Sequence, residues 1–222
     1  MTEPLVRSMT SQLIVRLRDR ILAGDYAPGS ALRQDVLASE FGTSKIPIRE
    51  ALVHLQSEGL VNIFPNRGFQ VRPLTASELD EVFSLRLRIE PIGAAQGARL
   101  ASEVDHAVAS AALDRLNEAL ARGEFSSSGQ LNQAFHLQLL VPRLQPIAAD
   151  ILGRLHTLAQ RYVQAHLQPD GRVKRAAREH AQLLKVWTTG KSKQVRELVQ
   201  AHIESTRDDL ARAVSLNESA RK

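Results

Sequence analysis

The sequence predicts a mainly α-helical protein of two domains, a small N-terminal one with a single β-hairpin and a larger C-terminal one made of helices alone. Aromatic residues make up only 4% of the chain, which is otherwise rich in good helix formers. Only residues 61–72 show a strand–turn–strand pattern. From Leu74 onward, apolar residues recur with helical spacing and without a strand signal. We therefore expect domains at 1–73 and 74–222, the second being an all-α helical bundle.

Composition excludes several classes of protein. The chain has no cysteine, so it has neither a disulfide framework nor a thiolate metal site. No apolar stretch approaches the ~20 residues that cross a bilayer, and the N-terminus lacks the apolar core of a signal peptide. We therefore expect a cytoplasmic protein with no membrane association. The net charge of +5 is compatible with a polyanionic partner but does not by itself identify one.

Two amphipathic helices are predicted near the N-terminus. The first spans 8–22, where apolar residues recur at i, i+3 and i+7. The second spans 33–41 and ends at Gly42, because glycine adopts the left-handed C′ conformation without strain from a Cβ atom. Three residues of the second helix are expected to face the core: Val36, Leu37 and Phe41.

A third helix and a hairpin complete the first domain. Ser44 is the predicted N-cap, and Pro47 in the first turn removes no internal hydrogen bond. The helix ends at Gly59, and the hairpin at 61–72 follows. Two short helices, a tight turn and a hairpin form a winged helix-turn-helix, which can place one helix in a DNA major groove. The sequence therefore predicts that double-stranded DNA is a partner.

Four cations lie on one side of this predicted unit. Lys45 and Arg49 are one turn apart and share a face beside the apolar stripe of the third helix. Arg49 can form two hydrogen bonds with guanine, whereas Lys45 acts as a point charge. Arg33 could reach a phosphate, and Arg67 at the hairpin tip suits the narrow minor groove. Single surface cations are commonplace, but this combination favours DNA binding.

The second domain is predicted to begin with a long helix. The pattern Thr75-Ala-Ser-Glu78 is a capping box that opens it. Pro91 is expected to kink or restart this helix near Ile89. Further helices, separated by glycine and proline, are predicted at 106–122, 127–141, 146–167, 173–188 and 192–215.

Three histidines fall on apolar faces of three different predicted helices: His136, His180 and His202. A lone buried histidine is usually a hydrogen-bonded core residue. Three on inward faces favour a shared divalent metal ion, zinc or another ion that prefers imidazole ligands. The other histidines show no comparable pattern and are assigned no role: His54, His106, His156 and His166.

Arg86 lies inside the apolar stripe of the long helix. Glu90, one turn further along, could simply pair with it. Alternatively, the guanidinium projects into a cavity and holds a carboxylate. The residues by themselves leave both interpretations open.

The segment from Pro28 to Leu52 resembles the winged helix of the GntR family of bacterial transcription regulators. The likeness continues through Leu55-Gln-Ser-Glu-Gly-Leu-Val and Pro65-Asn-Arg-Gly-Phe-Gln-Val. The second domain resembles the all-helical sensor (FCD) domain of the FadR-type branch. That likeness is carried by Ser84-Leu-Arg-Leu-Arg-Ile-Glu-Pro, Asn132-Gln-Ala-Phe-His and Arg178-Glu-His.

The resemblance implies roles for particular residues of the first domain. Ser44, Lys45, Arg49 and the wing around Arg67 would contact operator DNA. Lys45 stands where the family usually has arginine. Asp35 stands where many members have an arginine that touches DNA, which leaves the contribution of the second helix open.

The resemblance also implies a metal site in the sensor domain, built from one aspartate and three histidines. Asn132 stands in place of that aspartate. Its amide oxygen can still ligate a metal, but it brings no charge, so we expect a lower affinity. The implied effector is a small organic acid bound between the metal and Arg86.

Together these observations predict a homodimeric transcription regulator whose operator affinity is controlled by a small carboxylate metabolite. Dimerisation follows from the resemblance and because twofold operators match twofold proteins. The main alternative is a zinc-dependent hydrolase using the three histidines, although no general base that would act beside the metal is evident. An architectural DNA binder without a ligand would leave the histidines and Arg86 unexplained. The effector, the operator and the direction of regulation stay open.

Overall fold

A computed structural model describes residues 9–65, 68–140, 142, 145–165 and 171–219. Its contacts divide the chain into two compact units, one up to Leu74 and one from Thr75 onward. The boundary lies one residue beyond the position expected from the sequence. Within the described residues, no helix combines the length and the apolar character needed to cross a bilayer.

The described part of the first unit consists of helices and a small sheet. Its elements are α1 (Met9–Ala23), β1 (Ala31–Leu32), α2 (Gln34–Glu40), α3 (Lys45–Ser57), β2 (Val61–Phe64) and β3 (Gly68–Val71). The sheet is antiparallel with the order β1-β3-β2. The sequence did not indicate β1, because two residues are too few to show periodicity. The strand forms where buried Leu32 pairs with Phe69.

The core of the first unit lies between the inner faces of its helices and the sheet. Leu17 of α1 and Leu52 of α3 are fully buried there. The expectation that Val36 faces inward is wrong, since its side chain is 56% exposed. Successive helix residues differ by about 100°, and in this short helix Leu37 and Ala38 occupy the inward face instead.

The turn between α2 and α3 places the start of α3 at the surface. Gly42 has φ of 62°, the left-handed conformation predicted for it. Ser44 occupies the N-cap position, but its side chain makes no capping hydrogen bond. The Ser44 hydroxyl is therefore exposed at the end of α3 rather than used within the helix.

The second unit is an all-helical bundle, and the mainly α fold class is confirmed. Its described elements are α4 (Ala76–Leu100), α5 (Glu103–Ala121), α6 (Phe125–Gln138), α7 (Pro146–Ala165), α8 (Arg172–Trp187) and α9 (Ser192–Ser219). Helix α4 packs along α9 and also contacts α7, while α5 packs against α6. Residues of all six helices, α4 to α9, border one cavity.

Several helix boundaries of the second unit differ from prediction. Helix α6 spans Phe125–Gln138 rather than 127–141, and α9 continues to Ser219 rather than ending at 215. Helix α4 continues through Pro91 to Leu100 instead of restarting. The packing of α4 on its neighbours outweighs the roughly 3 kcal/mol that an internal proline costs. Helix α5 begins three residues before the predicted 106, because Ser102 and Asp105 cap it reciprocally.

The start of α4 is only half of the predicted capping box. The Thr75 side chain accepts a hydrogen bond from the Glu78 backbone N–H at 3.2 Å. The Glu78 carboxylate does not return to Thr75. It accepts a hydrogen bond from the Tyr162 hydroxyl at 2.8 Å instead. This contact joins α4 to α7 within the second unit.

Candidate DNA interface and candidate metal centre

The outer face of α3 carries exposed cations. Lys45 and Arg49 are exposed one turn apart, and Arg33 is exposed immediately before α2. Among the described residues these three make no ion pair. By contrast, Arg18 and Arg20 of α1 are bound to carboxylates of the same unit. The first three cations are therefore free to approach phosphates or base edges.

An apolar side chain that sequence reasoning missed lies beside these cations. Ile46, in the first turn of α3, is 72% exposed. A large apolar residue so exposed on this face can contact the methyl group of thymine. Its position outside the predicted apolar stripe of α3 is the sequence signal that could have identified it. The predicted wing-tip contact, Arg67, lies outside the described residues.

Three histidine side chains from separate helices converge in the second unit. His136 of α6, His180 of α8 and His202 of α9 each place a ring nitrogen within 4.8 Å of the others. The Nε2 atoms of His180 and His202 are 3.3 Å apart. Nδ1 of His202 lies 2.7 Å from a carboxylate oxygen of Glu179. A hydrogen bond there leaves the Nε2 lone pair of His202 available to a ligand.

This arrangement fits a divalent metal ion. Zinc–imidazole bonds are about 2.0–2.1 Å long, so two nitrogens of a tetrahedral site lie about 3.3 Å apart. That is the separation between His180 and His202. The Nε2 atom of His136 is buried and has no hydrogen-bond partner among the described residues. A metal ion would satisfy that atom.

The protonation state of these histidines also suits metal binding. Burial, followed by the neighbouring His180 and His202, lowers the pKa of His136 well below its usual range. Burial, with a contribution from His202, lowers the pKa of His180 to about 3. Both imidazoles are therefore neutral at physiological pH, the form that ligates metals.

The histidines line a cavity of about 110 Å³. Asn132, one turn before His136 on α6, lines the same cavity, and so does Arg86 of α4. Most of the remaining lining is apolar, and no aspartate or glutamate borders the cavity in the described part of the chain. A few polar groups in an apolar cleft are typical of a small-molecule site.

The structure shows how Arg86 is held. Its Nε atom donates to Glu90 Oε1 at 2.5 Å, and Nη2 donates to Oε2 at 3.3 Å. Both side chains are buried. Burial opposes ionisation of Glu90, but Arg86 and then His156 outweigh it and hold the pKa of Glu90 well below its ordinary value. Arg86 is thus paired with Glu90 and also borders the cavity, so both sequence interpretations describe part of its environment.

His156, to which the sequence assigned no role, belongs to this cluster. It is buried on α7, borders the cavity, and places Nε2 3.2 Å from Glu90 Oε1. Sequence patterns gave no signal for it, because its neighbours come from α4 and α6. Of the other histidines without a predicted role, His54 lies beside Glu58 in the first unit.

Two families match the chain. Residues 9–71 match the bacterial regulatory proteins of the gntR family. Residues 81–205, more than half of the chain, match the FCD domain. The chain is a GntR-family regulator with an FCD domain. This confirms the family predicted from the sequence.

The regulator is similar to known transcriptional regulators. It is 32% identical to the uncharacterized HTH-type regulator YdhC of Bacillus subtilis over 131 residues, which are 59% of this chain and 58% of that protein. It is 27% identical to the HTH-type regulator McbR of Escherichia coli over 148 residues, 67% of each chain. The solved structure of E. coli McbR/YncC covers 94% of this chain and 99% of that one, with a TM-score of 0.78 and 22% identity.

These comparisons decide between the predicted classes. The family and the relatives are transcriptional regulators, not enzymes. The zinc-dependent hydrolase considered as an alternative is not supported. The likeness to the McbR structure shows the shared fold, and at 22% identity it shows no more than that.

Proposed function

We propose that this GntR-family regulator binds operator DNA as a homodimer and that a small organic acid, bound beside a divalent metal in the FCD domain, controls its operator affinity. The observation that supports this most is the convergence of His136, His180 and His202 on one cavity. A regulator needs a site separate from its DNA-binding face where a ligand can act. The cavity belongs to the second unit, and the exposed cations belong to the first.

The DNA contacts are assigned to the exposed face around α3. Arg49 donates to a base edge, and Lys45 and Arg33 neutralise phosphates. Ser44 offers a hydroxyl that its own helix does not use. The wing contact by Arg67 is proposed from the sequence.

The metal is assigned to the three histidines and Asn132. A bound divalent ion, zinc being the best match to the imidazole set, supplies positive charge and open coordination positions for a carboxylate. Asn132 contributes a neutral oxygen, so the site holds its metal less tightly than an aspartate-containing one. Arg86 borders the same cavity and presents a second cationic group to the acid.

Dimerisation is assigned to an exposed apolar surface of the FCD domain. Ile92 of α4 and Ala148 of α7 line one shallow groove. Beside it, Ile147 and Ile151 of α7 are also exposed. A second copy of the chain is the occupant that fits, because a twofold interface buries the same patch on both protomers and a twofold operator requires such symmetry.

The coupling between acid and DNA is proposed as a population shift. The acid can change operator affinity only if it binds the DNA-competent and DNA-incompetent states with different affinities. The same coupling requires that operator DNA change the affinity for the acid by an equal factor. This reciprocity can be measured directly.

The proposal is tested by selecting sequences from random duplex DNA with the purified full chain, then titrating the best sequence at fixed salt. We expect an enriched twofold sequence, weaker binding by Arg49→Ala, and binding that a chelator alters. Arg115→Ala, an exposed arginine of α5, serves as the matched control and should bind as the parent does. Failure to enrich any sequence, or equal loss in both variants, would contradict the assignment.

A further inference from the structure

Arg172, which no sequence pattern singled out, borders the same cavity. It is the first residue of α8 and is only 7% exposed. Its Nη1 atom is enclosed and has no hydrogen-bond partner within the described residues. No carboxylate of the described chain forms an ion pair with it. A buried guanidinium with an unused donor is unfavourable unless something binds it.

The nearby acidic groups are occupied by other cations. Asp209 attracts Arg172 electrostatically, but its carboxylate is bound by Arg175 and Arg212. Glu179 lies against His202 and Arg175. Burial lowers the pKa of Arg172 and Asp209 opposes that shift, yet a guanidinium remains charged in proteins. Asp209 and Glu179 both attract Arg172 electrostatically, but neither forms an ion pair with it in the described structure, so its charge is only partly compensated.

This distinguishes Arg172 from Arg86. Arg86 makes two hydrogen bonds to Glu90, so its charge is compensated before any ligand enters. Arg172 has no such partner in the described structure. Of the two arginines that border the cavity, Arg172 has the greater unmet capacity to bind an anion.

The start of α8 adds to the positive potential at this end of the cavity. Gly171, with φ of 88°, precedes the helix and has no side chain that could cap it. The first backbone N–H groups of a helix carry partial positive charge. Val173, the second residue of this 16-residue helix, also borders the cavity.

We infer that Arg172 binds a second acidic group of the effector, so that the effector is a compact diacid held at the three histidines by one end and at Arg172 by the other. This rests on the proposed function, since it names the class of acid that the FCD cavity takes. Two acidic groups balance the cavity better than one, because a divalent metal adds to the charge of Arg172 and no carboxylate of the described residues borders the cavity. A cavity of about 110 Å³ is of the order of the ~150 Å³ engineered cavity that holds benzene, which favours an acid of a few carbons.

The first test compares diacids with monoacids of equal chain length. Zinc-loaded full-length protein is titrated calorimetrically with succinate, glutarate, butyrate and pentanoate. The parent should prefer at least one diacid to its matched monoacid. Arg172→Gln should bind that diacid roughly 10- to 100-fold more weakly, the usual loss of a charged hydrogen bond, and the loss for the matched monoacid should be clearly smaller. Equal diacid binding by parent and variant, or no diacid binding by the parent, would overturn the inference.

A second test uses the ligand-free protein and a control on the same helix. Arg172→Met should raise the melting temperature, because it removes an unpaired buried charge. Arg175→Met, three residues further along, should lower it, because Arg175 is bound to Asp209 and lies beside Glu179. If both variants melt below the parent to the same extent, Arg172 has a structural role and the inference is wrong.

Operator binding separates this inference from the proposed function. The parent and Arg172→Gln are each titrated with the selected operator, without acid and then with the diacid, and the response of each protein is compared with its own acid-free affinity. If the parent binds no operator, the proposed function fails whatever acid binds. If the parent binds operator and Arg172→Gln responds to the diacid as the parent does, only the assignment of Arg172 fails.

Discussion

Replacing Glu90 with glutamine should strongly destabilise the FCD domain. Arg86 and Glu90 are 6% and 1% exposed and are joined by two hydrogen bonds. The substitution leaves the guanidinium buried without its counter-charge, which costs about 3–5 kcal/mol. At about 2–4 °C of melting temperature per kcal/mol for a chain of this size, we expect a loss of roughly 6–20 °C.

The fluorescence of Trp187 is the appropriate assay. It is the only tryptophan of the chain, and it is fully buried in the second unit with its indole N–H bonded to the Leu139 carbonyl. Its emission therefore reports unfolding of the FCD domain without a signal from the DNA-binding domain. The double variant Arg86→Met/Glu90→Leu is the control, because replacing a whole buried pair by apolar groups is often neutral or stabilising.

The pH dependence gives an independent check. The folded-state pKa of Glu90 is held well below its unfolded value. The stabilisation contributed by ionised Glu90 is therefore complete above the pKa of a glutamate in the unfolded chain, about 4.3. It is lost as the pH falls through the pKa of Glu90 in the folded protein. The difference in melting temperature between parent and Glu90→Gln should be constant from pH 7 to 8, above the ordinary pKa of histidine, because the pKa of His156 beside Glu90 is lowered by burial. It should narrow in strongly acidic buffer, where Glu90 itself becomes protonated. A variant that melts within about 2 °C of the parent at neutral pH, or a double variant no better than the single one, would refute the reasoning.

The remaining predictions concern the metal, the DNA contact and the dimer. Elemental analysis should find about one divalent ion per chain. His180→Ala should abolish metal binding, whereas Asn132→Asp should tighten it by adding a charged oxygen ligand. A parent protein without metal would contradict the site. Arg49→Ala should weaken binding to the selected operator by about 1–3 kcal/mol, measured by fluorescence anisotropy and compared with binding to unrelated DNA. An equal loss of affinity for the operator and for the unrelated DNA would exclude base recognition by Arg49. Ile147→Glu should shift the sedimentation coefficient towards that of the monomer. Val104→Glu, at a residue of comparable exposure (71%), should leave the dimer intact. If Ile147→Glu also sediments as a dimer, the interface lies elsewhere.

Sequence patterns predicted most elements because the information they need is local. Apolar residues spaced for one helix face marked the helices, and glycines marked their ends. The predictions that failed were also local: Val36 was placed on the wrong face, and Pro91 was expected to interrupt a helix. In both cases tertiary packing outweighed the local conformational preference on which the prediction was based.

For the site, the sequence by itself determined which residue types were available and which helices carried them. It placed His136, His180 and His202 on inward faces and marked Lys45 and Arg49 as exposed cations. Only the tertiary structure decided that Arg86 is paired with Glu90 while Arg172 has no ion-pair partner among the described residues. Whether a buried charge is paired depends on atoms brought together from distant helices, and helical periodicity contains no information about those distances.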